Sequence, residues 1–212
     1  DFTNVSYNSN LQPVIDKLRL RYDECILYAD HEFGNFLQLL KQKGYYDNSI
    51  IIVSSDHGES FEDGYVTHAG PYLYQQLIRI PLIIHLPDQK SGKRIYGNAE
   101  QVDIAPTMLD LLGMDIPEWM DGESLKEAMQ GNYTSKKLKF SMTFEENGIK
   151  EPVSEGTITV IQDRYKYTYY IKESRGELFN IEKDPKEDNN LSEVDINRAK
   201  SMKKLILERI TK

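Results

Sequence analysis

Apolar residues early in the chain recur at spacings of three and four. Ile26, Leu27, Phe33, Leu37 and Leu40 predict one long helix over about 11–43. Pro13 stands near its start, where proline is tolerated, and Gly44 just past its end, where a left-handed cap is wanted. The pattern then changes to an unbroken β-branched run, Ile50-Ile51-Ile52-Val53, followed by Ser54-Ser55-Asp56-His57-Gly58-Glu59. An apolar run of that length reads as a central parallel strand covered on both faces. Polar residues and a glycine at the carboxyl end of such a strand are where open α/β sheets place their chemistry. A second buried strand is expected at 82–86, and a helix at 104–112 that Gly113 ends.

Beyond Gly131 the stretches become short, alternating and aromatic. Strands are expected near 139–144, 156–162, 165–171 and 177–181. Asn147-Gly148, Asp163-Arg164 and Ser174-Arg175-Gly176 are the turns between them. An amphipathic helix over 196–210 carries Met202, Leu205, Ile206 and Ile210 on one face. The layout is therefore α/β, with 1–131 as one part and a small antiparallel β subdomain with a terminal helix at 132–212. No Pro/Gly/Ser linker separates them, which favours one body over two independent domains.

Composition narrows the function. With 39% apolar residues over 212 positions, the chain can build a core. Its 34 acidic and 26 basic side chains leave a net charge of −8, against a nucleic-acid binder held by phosphate neutralisation or a polybasic membrane-surface module. No apolar run approaches the length of a membrane span. The single cysteine, Cys25, excludes an internal disulfide or a CxxC pair, and within an apolar helical stretch reads as a small buried hydrophobe.

The candidate chemistry centres on Asp56 and His57. A carboxylate beside an imidazole suits a divalent cation. In an extended strand the two side chains diverge, so both reach one ion only if the backbone turns there, which Gly58 permits. The same residues also fit a capping aspartate and a surface histidine. His68, flanked by Gly70 and Pro71, can return to the same site or stay solvated. Arg79, opening the second strand, can hold a phosphate- or sulfate-like anion or pair with a structural carboxylate. His31 reads as a surface or packing residue and His85 as a hydrogen-bonded core residue. Tyr165, Tyr167, Tyr169 and Tyr170 read as packed sheet tyrosines rather than a stacking platform.

Five ordered blocks resemble the carboxyl-terminal half of the sulfatase family in the alkaline phosphatase superfamily. GYYDNSIIIVSSDHGE at 44–59 is similar to the family's turn, buried strand and "S-D-H-G" or "S-D-N-G". His68, Leu73-Tyr74 and RIPLII at 79–84 resemble "H-G … L-Y-E-E … R-V-P-L-I". VDIAPTML at 102–109 and DGESL at 121–125 resemble "V-D-I-A-P-T-L-L" and "D-G-x-S-L". YKY at 165–167 with ELFNIEKDPKE at 177–187 and Asn190-Leu191 matches the closing block. The resemblance implies an alkaline-phosphatase-like α/β fold with a buried mixed sheet. It implies a divalent metal (calcium, manganese, magnesium or zinc) held by Asp56 and His57. It also implies His68 as a group that touches the transferred moiety, protonates the leaving oxygen or binds a second metal, and hydrolysis of a small-molecule or saccharide sulfate ester. Phosphoester hydrolysis or phosphoryl-headgroup transfer, or a non-catalytic remnant of the fold, are the other readings. The family's C/S-x-P-x-R nucleophile motif and its early acidic ligands have no counterpart here, since Cys25 is followed by Ile26-Leu27-Tyr28, and no lysine follows His68 closely. The chain is expected to be an inactive fragment of an active parent.

Overall fold

A computed structural model describes residues 9–62, 65–68, 70–97, 99–132, 138–144 and 153–210. The expected turn at Asn147-Gly148 lies outside them. Backbone proximity divides the chain into two units, 1–92 and 93–212.

In the first unit, α1 spans Gln12–Gln42 with proline in its first turn. It ends as the sequence predicts. Gly44 adopts φ +73°, its N–H donates to Lys41 O, and Tyr45 N–H donates to Leu40 O. These two bonds form a Schellman cap. The helix buries Ile15 alone, while Leu20, Ile26, Leu27, Tyr28 and Phe36 face solvent. Cys25 is exposed with them. Its apolar neighbours predict an interior position, but they lie on several sides of the helix and no packed face forms around it.

After a short 3-10 turn at Tyr46–Asn48 comes β1, Ile51–Ser54. The hairpin strands β2, Phe61–Glu62, and β3, Tyr65–Val66, follow, then the short helix α2, Gln75–Ile78, and β4, Leu82–His85. β1 pairs antiparallel with β4 in a two-stranded sheet and is half-buried, where the sequence predicts a parallel central strand. A continuous apolar run requires cover on both faces and says nothing of a neighbour's direction. The His85 and Tyr46 rings lie with centroids 4.4 Å apart and planes tilted by 30°, yet among the described residues the buried His85 Nε2 has no hydrogen-bond partner, against the expected satisfied core histidine.

In the second unit, α3 spans Ile104–Leu111 and α4 Lys126–Gln130. A polar clasp joins the chain before α3 to the chain before α4. Fully buried Asp103 accepts the N–H of Glu100 at 2.9 Å and of Glu123 at 2.8 Å. Thr107 Oγ accepts Leu125 N–H at 2.9 Å, and Asp110 takes Lys126 Nζ at 2.7 Å and Ser124 Oγ at 2.5 Å. The Lys126 and Ser124 bonds hold the Asp110 carboxyl below its ordinary value. The VDIAPT and DGESL blocks are thus one structural device.

Strands β5 Leu138–Thr143, β6 Thr157–Gln162, β7 Tyr165–Tyr170 and β8 Arg175–Asn180 form an antiparallel meander in that order. α5, Ile196–Ile210, lays Ala199, Met202 and Ile206 on Ile158, Val160, Tyr167, Tyr169 and Leu178. Alternation of period two sends these residues to one face. The other residues of β6 and β7 are also buried, among them Thr157, Thr159 and Lys166, except the partly exposed end residues Gln162 and Tyr165. Lys166 Nζ meets Glu187 at 2.6 Å, both fully enclosed; burial pushes the ammonium down from its ordinary value, against the pull of Glu187. The DPKEDNN segment closes β8. Asp184 accepts the N–H groups of Asp188 and Asn189, and Asn190 Oδ1 those of Leu178 and Ser192. The tyrosines pack as expected, with Tyr167, Tyr169 and Tyr170 buried.

Candidate functional site

The loop leaving β1 is held against α2. Gly58 N–H donates to Leu77 O at 2.7 Å. A Cβ on Gly58 would lie 1.9 Å from Gln76 O, far inside contact distance. Glycine is required here by the close approach of two backbones. Gly58 is not among the glycines with positive φ, so it is space rather than a left-handed backbone that calls for glycine. Ser60, almost fully buried, receives Gln76 Nε2 at 3.3 Å and fixes the next step of the loop.

Asp56 and His57 emerge at this anchored point. His57 N–H donates to Asp56 Oδ1 at 3.0 Å. This bond, with the Asp56 N–H and the neighbouring imidazole, holds the Asp56 carboxyl below its ordinary value, so it is ionised. His57 Nδ1 lies 2.8 Å from Gly58 O, which accepts only if Nδ1 carries the proton. Nε2 is then the lone-pair nitrogen, 3.8 Å from Asp56 Oδ2.

The hairpin brings in His68. Phe61 pairs with Val66 and Glu62 with Tyr65, and Thr67 N–H donates to Ser60 O at 2.9 Å. Continuing that register sets Glu59 across from His68, and His68 Nδ1 meets Glu59 Oε2 at 2.7 Å. The His57 and His68 rings stack with centroids 4.2 Å apart and planes 25° apart. Thr67, just before His68, sits at φ +101°, an unusual value for a β-branched residue and a local strain of the kind functional sites keep.

Asp56, His57 and His68 are therefore brought together, with Glu59 as a fourth member that the sequence reading left without a role. The signal for it was Asp63-Gly64, the strongest short hairpin dipeptide, which pairs 59 with 68. Arg79 is not brought in by any described contact. It caps α2, three residues before β4, with its side chain exposed and engaged in no hydrogen bond or ion pair among the described residues.

The Asp56–His57 pair fits one side of a cation site. Two ligands about 2.1 Å from a shared ion sit about 3.0–3.8 Å apart for angles of about 90–130°. The Oδ2–Nε2 separation of 3.8 Å is at the upper end of that span. Among the described residues no group of three His, Cys, Asp or Glu side chains is arranged to hold an ion unaided. A complete centre needs further ligands. Nor, among those residues, is any helix long and apolar enough to cross a membrane.

Comparison with known proteins places these elements in context. Residues 3–114 match the family model "Sulfatase", and residues 65–212 match "N-sulphoglucosamine sulphohydrolase, C-terminal". An arylsulfatase of Clostridium perfringens is 27% identical over 202 residues, covering 92% of this chain and 40% of that protein. The protein BT4656, solved in complex with its substrate D-glucosamine-2-N,6-O-disulfate, superposes with a TM-score of 0.72 at 26% identity. The match covers 87% of this chain and 38% of that one. A phosphonate monoester hydrolase from Silicibacter pomeroyi gives 0.69 at 26% identity, over 86% and 38%. The chain thus spans about two fifths of the length of these relatives.

Proposed function

The chain belongs to the sulfatase family, and from that membership we propose that it supplies the carboxyl-terminal share of the active site of a metal-dependent sulfate-ester hydrolase. Residues 1–131 would be the back of its α/β core and 132–212 its β subdomain. Asp56 and His57 hold a divalent cation, completed by ligands outside this chain. Calcium, manganese, magnesium and zinc all suit the oxygen-nitrogen donor pair. Such an ion would neutralise charge on a tetrahedral ester and activate a nucleophile.

The chain's own residues perform the rest. Gly58 lets the ligand loop lie against α2. The Gly58 carbonyl holds His57 in the tautomer that offers Nε2. His68, stacked on His57, stands ready to touch the transferred group or protonate the leaving oxygen. Arg79, exposed and unpaired among the described residues, would attract the substrate's anionic group. The substrate class is a sulfated small molecule or saccharide, as with the glucosamine disulfate bound by BT4656. A phosphoester substrate is the second reading, favoured by the likeness to a phosphonate monoester hydrolase and by His rather than Asn at position 57.

The observation that carries this reading is the convergence of an ionised Asp56 with a tautomer-fixed His57. Calorimetric titration of the chain with manganese or zinc tests it. Binding should be weak and stoichiometric, and Asp56→Ala should weaken it about tenfold or more. Equal affinity in the two proteins would overturn the assignment. With the remaining ligands and nucleophile present, preference for an aryl sulfate over an aryl phosphate separates the two substrate readings.

A further inference from the structure

We propose that Glu59 is a positioning residue for His68. Its carboxylate takes the imidazole Nδ1–H and so presents Nε2 as the atom that faces the ester. The proposal deepens the reading of the site above and rests on it.

Three observations converge. The first is topological. The register of β2 and β3 (61 with 66, 62 with 65) and the Ser60–Thr67 backbone bond continue to 59 opposite 68. Directly opposed side chains in an antiparallel pair lie on the same face, within reach of each other. The second is geometric. The 2.7 Å separation of His68 Nδ1 and Glu59 Oε2 is the length of a charge-assisted hydrogen bond. The third is burial. The Glu59 side chain is 16% exposed, whereas the imidazole it holds is 48% exposed. The carboxylate is thus the more enclosed partner, and the ring it holds remains half open to solvent.

Together these constraints fix the ring. Stacking on His57 sets its plane, and the Glu59 bond sets which edge points inward. A histidine in water favours the proton on Nε2. A carboxylate at Nδ1 reverses that preference, because a carboxylate can only accept. Without Glu59 the ring would sample both tautomers and both edge orientations, and Nε2 would be only intermittently available.

Long-range 1H–15N spectra of the labelled chain, recorded at one pH where imidazoles are neutral, test this. His68 should show the Nδ1–H form, while exposed His31 shows the usual Nε2–H form as a reference within the same chain. Glu59→Ala should convert His68 to mostly Nε2–H. Glu59→Gln, whose amide oxygen still accepts, should retain Nδ1–H, with the Val66 and Thr67 amide signals in place as a check on the hairpin. A wild-type His68 in the Nε2–H form, or one that stays Nδ1–H in Glu59→Ala, would overturn the proposal. If Glu59→Ala loses the hairpin, the wild-type and Glu59→Gln spectra still decide. The outcome is separable from the metal reading. Failure of Asp56→Ala to weaken metal binding removes that reading and leaves the tautomer result intact. An Nε2–H His68 beside normal metal binding removes only the role of Glu59.

Discussion

Replacing Gly58 by alanine tests the site's architecture most directly. The added methyl would have to lie 1.9 Å from Gln76 O and 3.3 Å from Leu77 Cα. Ordinary contact begins near 3.4 Å, so the loop and α2 must separate by about 1.5 Å. Neither neighbour is a flexible side-chain tip; both belong to backbone. That movement breaks the 2.7 Å bond from Gly58 N–H to Leu77 O. Overpacking typically costs about 1–3 kcal/mol, and a lost hydrogen bond about 0.5–1.5 kcal/mol. The expected loss is therefore about 2–4 kcal/mol of the first unit's stability. Gly34 provides the control. It lies inside α1 with nothing within 4 Å of its would-be Cβ, so Gly34→Ala should stabilise by about 0.5–1 kcal/mol. Urea denaturation followed by far-UV circular dichroism measures both. A Gly58→Ala cost below about 1 kcal/mol, or metal binding unchanged in that variant, would refute the claim that close backbone approach shapes the ligand loop.

Further outcomes follow from other contacts. Lys166→Met should cost about 3–5 kcal/mol by leaving Glu187 buried without its ammonium, and pairing it with Glu187→Leu should recover most of the loss in a denaturation cycle. Asp110 has a folded pKa below its unfolded 3.8. Its stabilising contribution is therefore present above that value and fades as pH falls through the folded one. The stability gap between wild type and Asp110→Asn should accordingly shrink on acidification from pH 5 to pH 2.5. Arg79→Ala should alter thermal stability by no more than about 0.5 kcal/mol while reducing protection by added sulfate.

Long periodic elements were legible in the sequence. α5 falls where its apolar face requires, and α1 ends at the glycine that caps it. The meander strands lie within about two residues of the alternating stretches, because one face must bury and the turns carry Asp163 and Ser174 at positive φ. Asp56, His57 and His68 were legible as candidates, but their convergence depends on β2 and β3, each only two residues long and too short to show a period. Glu59 shares that limit, and only the Asp63-Gly64 dipeptide signals the hairpin that sets it across from His68. α2 has four residues and no capping side chain to announce it. The settings of Cys25 and His85 were not legible, because composition near a residue does not say which way its side chain faces or what partners it finds.

The exposure of α1 has a kinetic consequence. A helix of 31 residues is about 46 Å long at 1.5 Å per residue, and one buried side chain gives it little tertiary support. Its amides should therefore open by local unfolding at free energies well below those of β6 and β7, where all residues but Gln162 and Tyr165 are buried. Deuterium uptake should run through α1 first, apart from the turn around Ile15, and reach the tyrosine-rich strands last.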